Sequence, residues 1–532
     1  MRWTSVLFVL ASAVTLYARP ELAFFGVSGP RNTIPGQNAY LVTDFAWIDA
    51  SEFSVDPETD TLYVPGHTLK NGDTVRVFWN QPLPNPLSIR KGYTVSNVDG
   101  NRLKLIEYAG GPLINFREPV SGSGYPLIGR RLDLKAHVYL EPVQADLPGV
   151  SVECECTTNS AKRIYSYWGG EPFNLKIKVA PDAPVGTTTL RFVISANEFA
   201  AQTIEIPFAV REFNAIPLAK PTEFPPIPNK AKWEKTMLQL AARWCKDQEN
   251  PTDVMSFGVE NQVWFYDGAW VYYQVADYTG DSKWKKCGDN IASQYLTYVT
   301  KNKGAIPGYR IFADGLRRSS RESDQPYLNA IEMLALNSPY SRAGGHPSDS
   351  RLRETSYLLE AQLMYREVGK AVPKMDKTVD LLLGIFDTLF VSEHAVYNQT
   401  FMNGLGMRAL IRYYEQTQDP RIPVAIKTAL DWIWNHAWVS DSKRLMYSPF
   451  AYGPVCLSGC KSQNTDLINL VAPAYAWYWS ITADEEYRIR GDELFAHALD
   501  NEIAYSGKIF SQNYCWSFDY VRWREGLDRD LP

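Results

Sequence analysis

The chain has 532 residues, a formal net charge of −5 and seven cysteines. That length allows several domains and a large buried core. The slightly acidic balance argues against nucleic acid and gives no reason to invoke an anionic membrane surface. Seven cysteines fit an oxidising compartment without implying a disulfide scaffold.

At the start, Arg2 precedes an apolar run over 6–17, with small residues at Ala11, Ser12, Ala13 and Ala18. The pattern predicts a signal peptide over 1–18, too short to span a bilayer comfortably; a membrane anchor is the alternative. Elsewhere no long apolar run occurs. The mature chain is therefore expected to be soluble and exported: secreted, periplasmic or at the cell surface, with no membrane contact after cleavage.

Residues 20–211 read as β-structure, expected as two modules over 20–143 and 144–211. An extended run before Asn71-Gly72-Asp73 is followed by another after it, and Asp99-Gly100 marks a hairpin tip. The stretch 179–195, with its Pro-x-x-x-x-Gly-Thr turn before an alternating strand, resembles bacterial immunoglobulin-like domains. The stretch beginning at His67 resembles a small β-module of phage tail and surface proteins. These resemblances imply one or two β-sandwich modules.

Pro217, Pro221, Pro225, Pro226 and Pro228 then crowd one short stretch. Proline at that density forbids helix and predicts a semi-stiff spacer over 212–231, the clearest domain boundary in the chain. From 232 to 525 helical patterns dominate, and 526–532 is a tail.

The helical part is built from one repeated unit. In 401–438, Leu405, Ala409, Leu410, Tyr413 and Tyr414 recur at helical spacing, Asp419-Pro420 breaks the helix, and Val424, Ile426, Ala429, Leu430 and Ile433 stripe its return. Similar units occupy 264–299, 353–389 and 465–499. In each, the first helix is apolar nearly all round and the second has a wet face. The first therefore lies inside and the second outside. Inner helices are expected near 263–278, 352–368, 401–417, 465–481 and 513–524, with outer partners near 232–246, 283–300, 374–391, 422–437 and 485–501. The predicted fold is multidomain: N-terminal β-sandwich modules followed by an all-α (α/α) toroid of helical hairpins. These hairpins resemble the six-hairpin glycosidase folds, a superfamily of glycoside hydrolases and polysaccharide lyases. The resemblance is architectural and brings no catalytic residue with it.

The resemblance implies a polysaccharide or oligosaccharide partner. A site would form where the inner helices begin, because their starting loops converge there. Carboxylates at three such starts, Asp267, Glu354 and Asp466, are the candidate catalytic groups. Each is also a natural helix cap. Trp264, Tyr266, His346, Arg353, Asn403, Asn464 and Trp516 are the candidate sugar-binding groups, since aromatic faces stack on pyranose rings and amides and charged groups bind hydroxyls. Glycoside hydrolysis by carboxylate acid/base catalysis is the expected activity. A lyase acting on a uronate glycan is one alternative, with Tyr266 or His346 as base and Asn403 or Arg353 neutralising the uronate. A non-catalytic glycan-binding or surface protein is another. No zinc, calcium, nucleotide or dinucleotide motif occurs, so neither metal nor cofactor is expected. Cys456 and Cys460 are expected to close a small loop, and Cys245 and Cys287 to bridge neighbouring helices. Composition leaves the sugar, its linkage and the oligomeric state open.

Overall fold

The computed structural model describes residues 22–78, 87, 92–116, 127–131, 137–143, 145–154, 162–163, 173–196, 201–247, 266–304, 313–319, 324–337, 352–392, 398–449, 463–464, 468–500 and 506–527. The expected signal peptide lies outside them, as do Trp264, His346, Asp466, Cys456 and Cys460. Among the described residues no helix is long and apolar enough to cross a membrane.

The β half is organised around one long strand, Ala39–Glu52. It pairs antiparallel with Leu22–Ser28, Leu127–Arg131 and Phe173–Val179, inside a ten-stranded sheet. A second sheet of five strands contains His137–Val143, Gly186–Ala196 and Gln202–Val210. Alternation decides which faces are buried. Leu41, Leu175 and Ile177 of the first sheet share a core with Leu190, Phe192, Ile206 and Phe208 of the second. A separate core contains Val55, Leu62, Val75, Val77, Tyr93, Val95, Leu103 and Leu105. The hairpin at Asp99-Gly100 forms as its sequence dictates, with Gly100 at φ 57° and Asp99 opposite Arg102.

A division of this half at 143/144 does not match the pairing. Strand Ala39–Glu52, from the first stretch, pairs with Phe173–Val179 from the second, and His137–Val143 pairs with Gly186–Ala196. Turn signals mark where strands end, but they carry no information about which distant strand each will join.

The helical half comprises α1 (Lys230–Asp247), α2 (Gly268–Thr279), α3 (Lys283–Lys301), α4 (Ala313–Ser319), α5 (Gln325–Glu332, continued by a π-turn over Met333–Asn337), α6 (Leu352–Glu367), α7 (Met375–Phe390), α8 (Thr400–Thr417), α9 (Arg421–His436), α10 (Ala472–Thr482), α11 (Glu485–His497), α12 (Gly507–Tyr514) and α13 (Ser517–Arg524). Helices α2, α4, α6, α8, α10 and α13 pack each against the next, and α12 closes the ring back onto α2. Helices α3, α7, α9 and α11 pack outside their hairpin partners. One continuous core runs through the ring, including Tyr272, Leu359, Leu410, Ile433, Trp477 and Tyr520. Cys245 of α1 and Cys287 of α3 form a disulfide with their Cα atoms 5.6 Å apart.

Several features differ from the sequence expectation: the inner helix expected over 465–481 begins only at Ala472, and the one expected over 513–524 is divided between α12 and α13. Helix α4 is an inner helix of only seven residues. Its single aliphatic side chain of any size, Leu316, gives no stripe to read. The proline-rich stretch is not a free spacer but lies on the ring. Phe224 meets Trp479 edge to face at 5.7 Å, Ala219 N–H donates to Ile481 O at 2.9 Å, and Arg524 donates to Pro225 O at 3.2 Å.

The β half docks on α7. Asn38 donates to Asp380 at 3.2 Å and Arg211 donates to Asp387 at 2.7 Å. Between those carboxylates, a Cβ on Gly384 would come within 3.2 Å of Pro30. The seven-residue spacing of Asp380 and Asp387 is about two helical turns, so one face of α7 makes all three contacts.

Candidate functional site

Inner helices α2, α6, α8 and α10 run parallel to one another, because each is followed by an antiparallel outer partner. Their N-termini therefore share one end of the ring. Tyr266 and Asp267 immediately precede α2, and both hold left-handed backbone conformations, φ 50° and 57°. Two adjacent non-glycine residues in that region store about 1 kcal/mol or more each.

Asp267 is fully buried. Its Oδ1 accepts from Trp270 N–H at 3.2 Å, capping its own helix, and its Oδ2 accepts from Gly315 N–H at 2.9 Å in α4. One carboxyl thus caps two inner helices. Burial pushes its pKa up to about 8; Asp314 beside it adds to the rise, and the two N–H donors and Arg408 oppose it.

Asp314 belongs to an ionic group on the ring's inner faces. Arg408 donates to Asp314 at 2.6 Å and to Glu360 at 2.9 Å, and Arg412 donates to Asp314 at 2.7 Å. These side chains are all buried. Burial alone lowers the Arg408 pKa, but Glu360 and Asp314 raise it overall. The group joins α4, α6 and α8 below the mouth.

The first turn of α6 carries Arg353, Glu354 and Tyr357. Arg353 clamps Glu354 Oε1 through two donors, at 2.6 and 3.1 Å. Glu354 is 5% exposed, and its Oε2 is buried with no hydrogen-bond partner. The Tyr357 hydroxyl is likewise buried and unpartnered, although the residue as a whole is only half-buried. Burial drives the Tyr357 pKa well up; Tyr266 and Glu354 push the same way, and Arg353 opposes them. Tyr266 of α2 therefore faces this turn of α6.

The structure accordingly brings Tyr266, Arg353 and Glu354 together, with Asp267 one residue from Tyr266. Glu360, one to two turns beyond Glu354 along α6, faces both Tyr357 and Arg408, so a chain of polar side chains runs from Glu354 to Asp267. Asn403 does not join this group. It lies about 140° around α8 from Arg408, and neither atom of its buried amide has a partner. Asn464 lies in a short strand opposite Leu445. Trp516 precedes α13, is 1% exposed, and sets its ring edge to face on Trp523 at 6.5 Å. It offers no open face to a sugar.

Sequence reasoning missed Asp314, Tyr357, Glu360, Arg408 and Arg412. A signal existed for the ionic side chains. Arg408 and Arg412 interrupt an otherwise apolar helix at a four-residue spacing, and Glu360 interrupts α6 in the same way. Charges inside a helix that is apolar all round must meet each other. Among the described residues no group of His, Cys, Asp or Glu is arranged to hold a metal ion.

No family model matches the sequence, and no curated protein matches it. Several solved structures are similar in shape. One is an unsaturated glucuronyl hydrolase specific for heparin, at 13% identity and a TM-score of 0.42, covering 55% of this chain and 97% of that one. Another is the unsaturated glucuronyl hydrolase of Streptococcus agalactiae, at 10% identity and a TM-score of 0.41, covering 58% and 98%. A D-mannose isomerase matches at 11% identity and a TM-score of 0.37, covering 57% and 100%. Likeness at this level carries no argument about chemistry.

Proposed function

We propose that the chain is an exported carbohydrate-active enzyme, a glycoside hydrolase that cleaves a polysaccharide by carboxylate acid/base catalysis. The observation that carries this reading is Glu354: a buried carboxylate clamped by Arg353 through one oxygen, with the other oxygen uncommitted. Such a group suits the base or nucleophile of hydrolysis. Asp267, whose pKa burial raises to about 8, is the candidate acid. Asp466, six residues before α10 begins, remains the third catalytic candidate. The two sheets of the β half, sharing one core, are read as an immunoglobulin-like sandwich that carries the ring.

Turnover on a polysaccharide panel tests the proposal. Glu354→Gln is expected to abolish release of reducing ends while leaving the melting temperature within a few degrees. A variant with full turnover would remove Glu354 from the chemistry.

A lyase reading has one observation of its own, since Tyr266 faces Arg353, a base candidate beside a cation that neutralises a uronate. New absorbance from an unsaturated uronate marks that outcome, and reducing ends without it mark hydrolysis.

A further inference from the structure

We propose that Glu354 Oε2 and the Tyr357 hydroxyl form a subsite for a hydroxyl of a neutral sugar ring, with Tyr357 as a binding residue that fixes substrate class. The inference rests on the carbohydrate reading above and adds to it the charge of the ring at this position.

Three observations converge. Glu354 Oε2 is a buried acceptor with nothing to accept, and Tyr357 Oη is a buried hydroxyl with nothing to pair with. A native fold rarely leaves such atoms bare, because each costs about 1–3 kcal/mol. The two residues are three apart on α6, so they share a face, and Tyr357 feels the Glu354 charge. Yet they do not bond each other. What satisfies both is a group that donates to the carboxylate and accepts from the phenol, and a hydroxyl does both at once.

The third observation concerns charge. Arg353 is committed to Glu354 Oε1 through two donors. The cation that would receive a uronate is therefore already paired, and the open oxygen beside it is that of a carboxylate. A carboxylated ring placed here meets Glu354 first, and like charges repel in a buried site. The subsite thus selects an uncharged ring.

The test uses the full chain and measures affinity by calorimetry. The probes are neutral gluco-, manno- and xylo-oligosaccharides, and oligogalacturonate as the charged counterpart. Wild type is expected to bind a neutral probe, with Tyr357→Phe and Glu354→Gln each weakening it roughly tenfold. Tyr357→Phe keeps the ring and removes only the hydroxyl, so its fold is expected to survive, as equal melting temperatures would show. Unchanged affinity in both variants would overturn the subsite and leave the carbohydrate reading standing. Preference for oligogalacturonate, with Arg353→Gln abolishing it, would overturn the neutral-ring assignment. Binding of no sugar by wild type would overturn the subsite together with the carbohydrate reading.

Discussion

Asp267 accepts a hydrogen bond from the Gly315 backbone at 2.9 Å, tying the starts of two inner helices that are 48 residues apart in sequence. The contact requires glycine. A Cβ at position 315 would stand 2.5 Å from Asp267 Oδ1 and 2.7 Å from Ala269 Cβ. Gly315→Ala is expected to cost about 1–3 kcal/mol, as overpacking in a tight core does. Urea denaturation followed by circular dichroism reads the loss, and an unchanged midpoint would mean that α2 and α4 separate without penalty.

The same carboxyl sets a pH dependence. In the unfolded chain an aspartate titrates near 4. In the fold Asp267 titrates at about 8 and Asp387 at about 7, both mainly because of burial. Below pH 4 both groups are protonated in either state and cost nothing. As pH rises, the unfolded chain releases these protons while the fold retains them, so stability falls until the folded pKa is passed. Melting temperature is therefore expected to decline from pH 4 towards 8 and then level off as far as these groups are concerned. Asp267→Asn and Asp387→Asn should each flatten part of that decline. Equal slopes in wild type and both variants would refute the assignment.

How much of this was legible beforehand differs by level. Long inner and outer helices announced themselves through periodicity, as in 401–438, where a proline separates two apolar stripes. Helix α4 did not, because seven residues with one large aliphatic side chain make no periodic signal. Ionic contacts were illegible for another reason. In α4 the sequence places Asp314 next to Arg317 and Arg318, yet Asp314 anchors two buried arginines of α8. Only tertiary packing decides between those partners. Carboxylates at inner-helix starts were legible as positions, but not the double cap of Asp267 or the uncommitted oxygen of Glu354. Tyr357 looked like one more aromatic in a core helix.

The disulfide between Cys245 and Cys287 staples α1 to the outer helix α3 across 42 residues. Its Cα separation of 5.6 Å lies in the ordinary range for a bridge. Reduction, or Cys287→Ser, is expected to cost about 2–4 kcal/mol. Thermal melts with and without dithiothreitol measure it. A wild type insensitive to reductant, with both thiols free on peptide mapping, would contradict the bridge.

The proline-rich stretch leads to a different expectation from its composition. Composition suggests a protease-sensitive spacer, but Phe224 and Pro225 sit against Trp479 and Arg524. Arg524 is fully buried, and its Nε donates to Asp492 Oδ1 at 2.7 Å. Limited proteolysis of the native chain is expected to spare 217–228. A fragment starting at Lys230 should melt below the full chain, because it loses those contacts and the docking of the β half on Asp380 and Asp387. Rapid cleavage within 217–228, leaving a ring of unchanged melting temperature, would show that the stretch is only a tether.

Arg408 gives the sharpest test of the ionic group inside the ring. It is 1% exposed and spans Asp314 and Glu360. Arg408→Met removes the positive charge and keeps most of the volume. Glu360 then loses the Arg408 guanidinium that binds both its oxygens, whereas Asp314 keeps Arg412. Removing one partner of a buried ion pair typically costs about 3–5 kcal/mol. Adding Glu360→Gln to Arg408→Met removes the charge that Arg408 balanced, so the double variant is expected to be more stable than Arg408→Met alone. The two changes should be non-additive by more than about 1 kcal/mol, as for residues in direct contact. Additive losses would show that Arg408 and Glu360 act independently. A single variant as stable as wild type would show that the ring needs no charge at its centre.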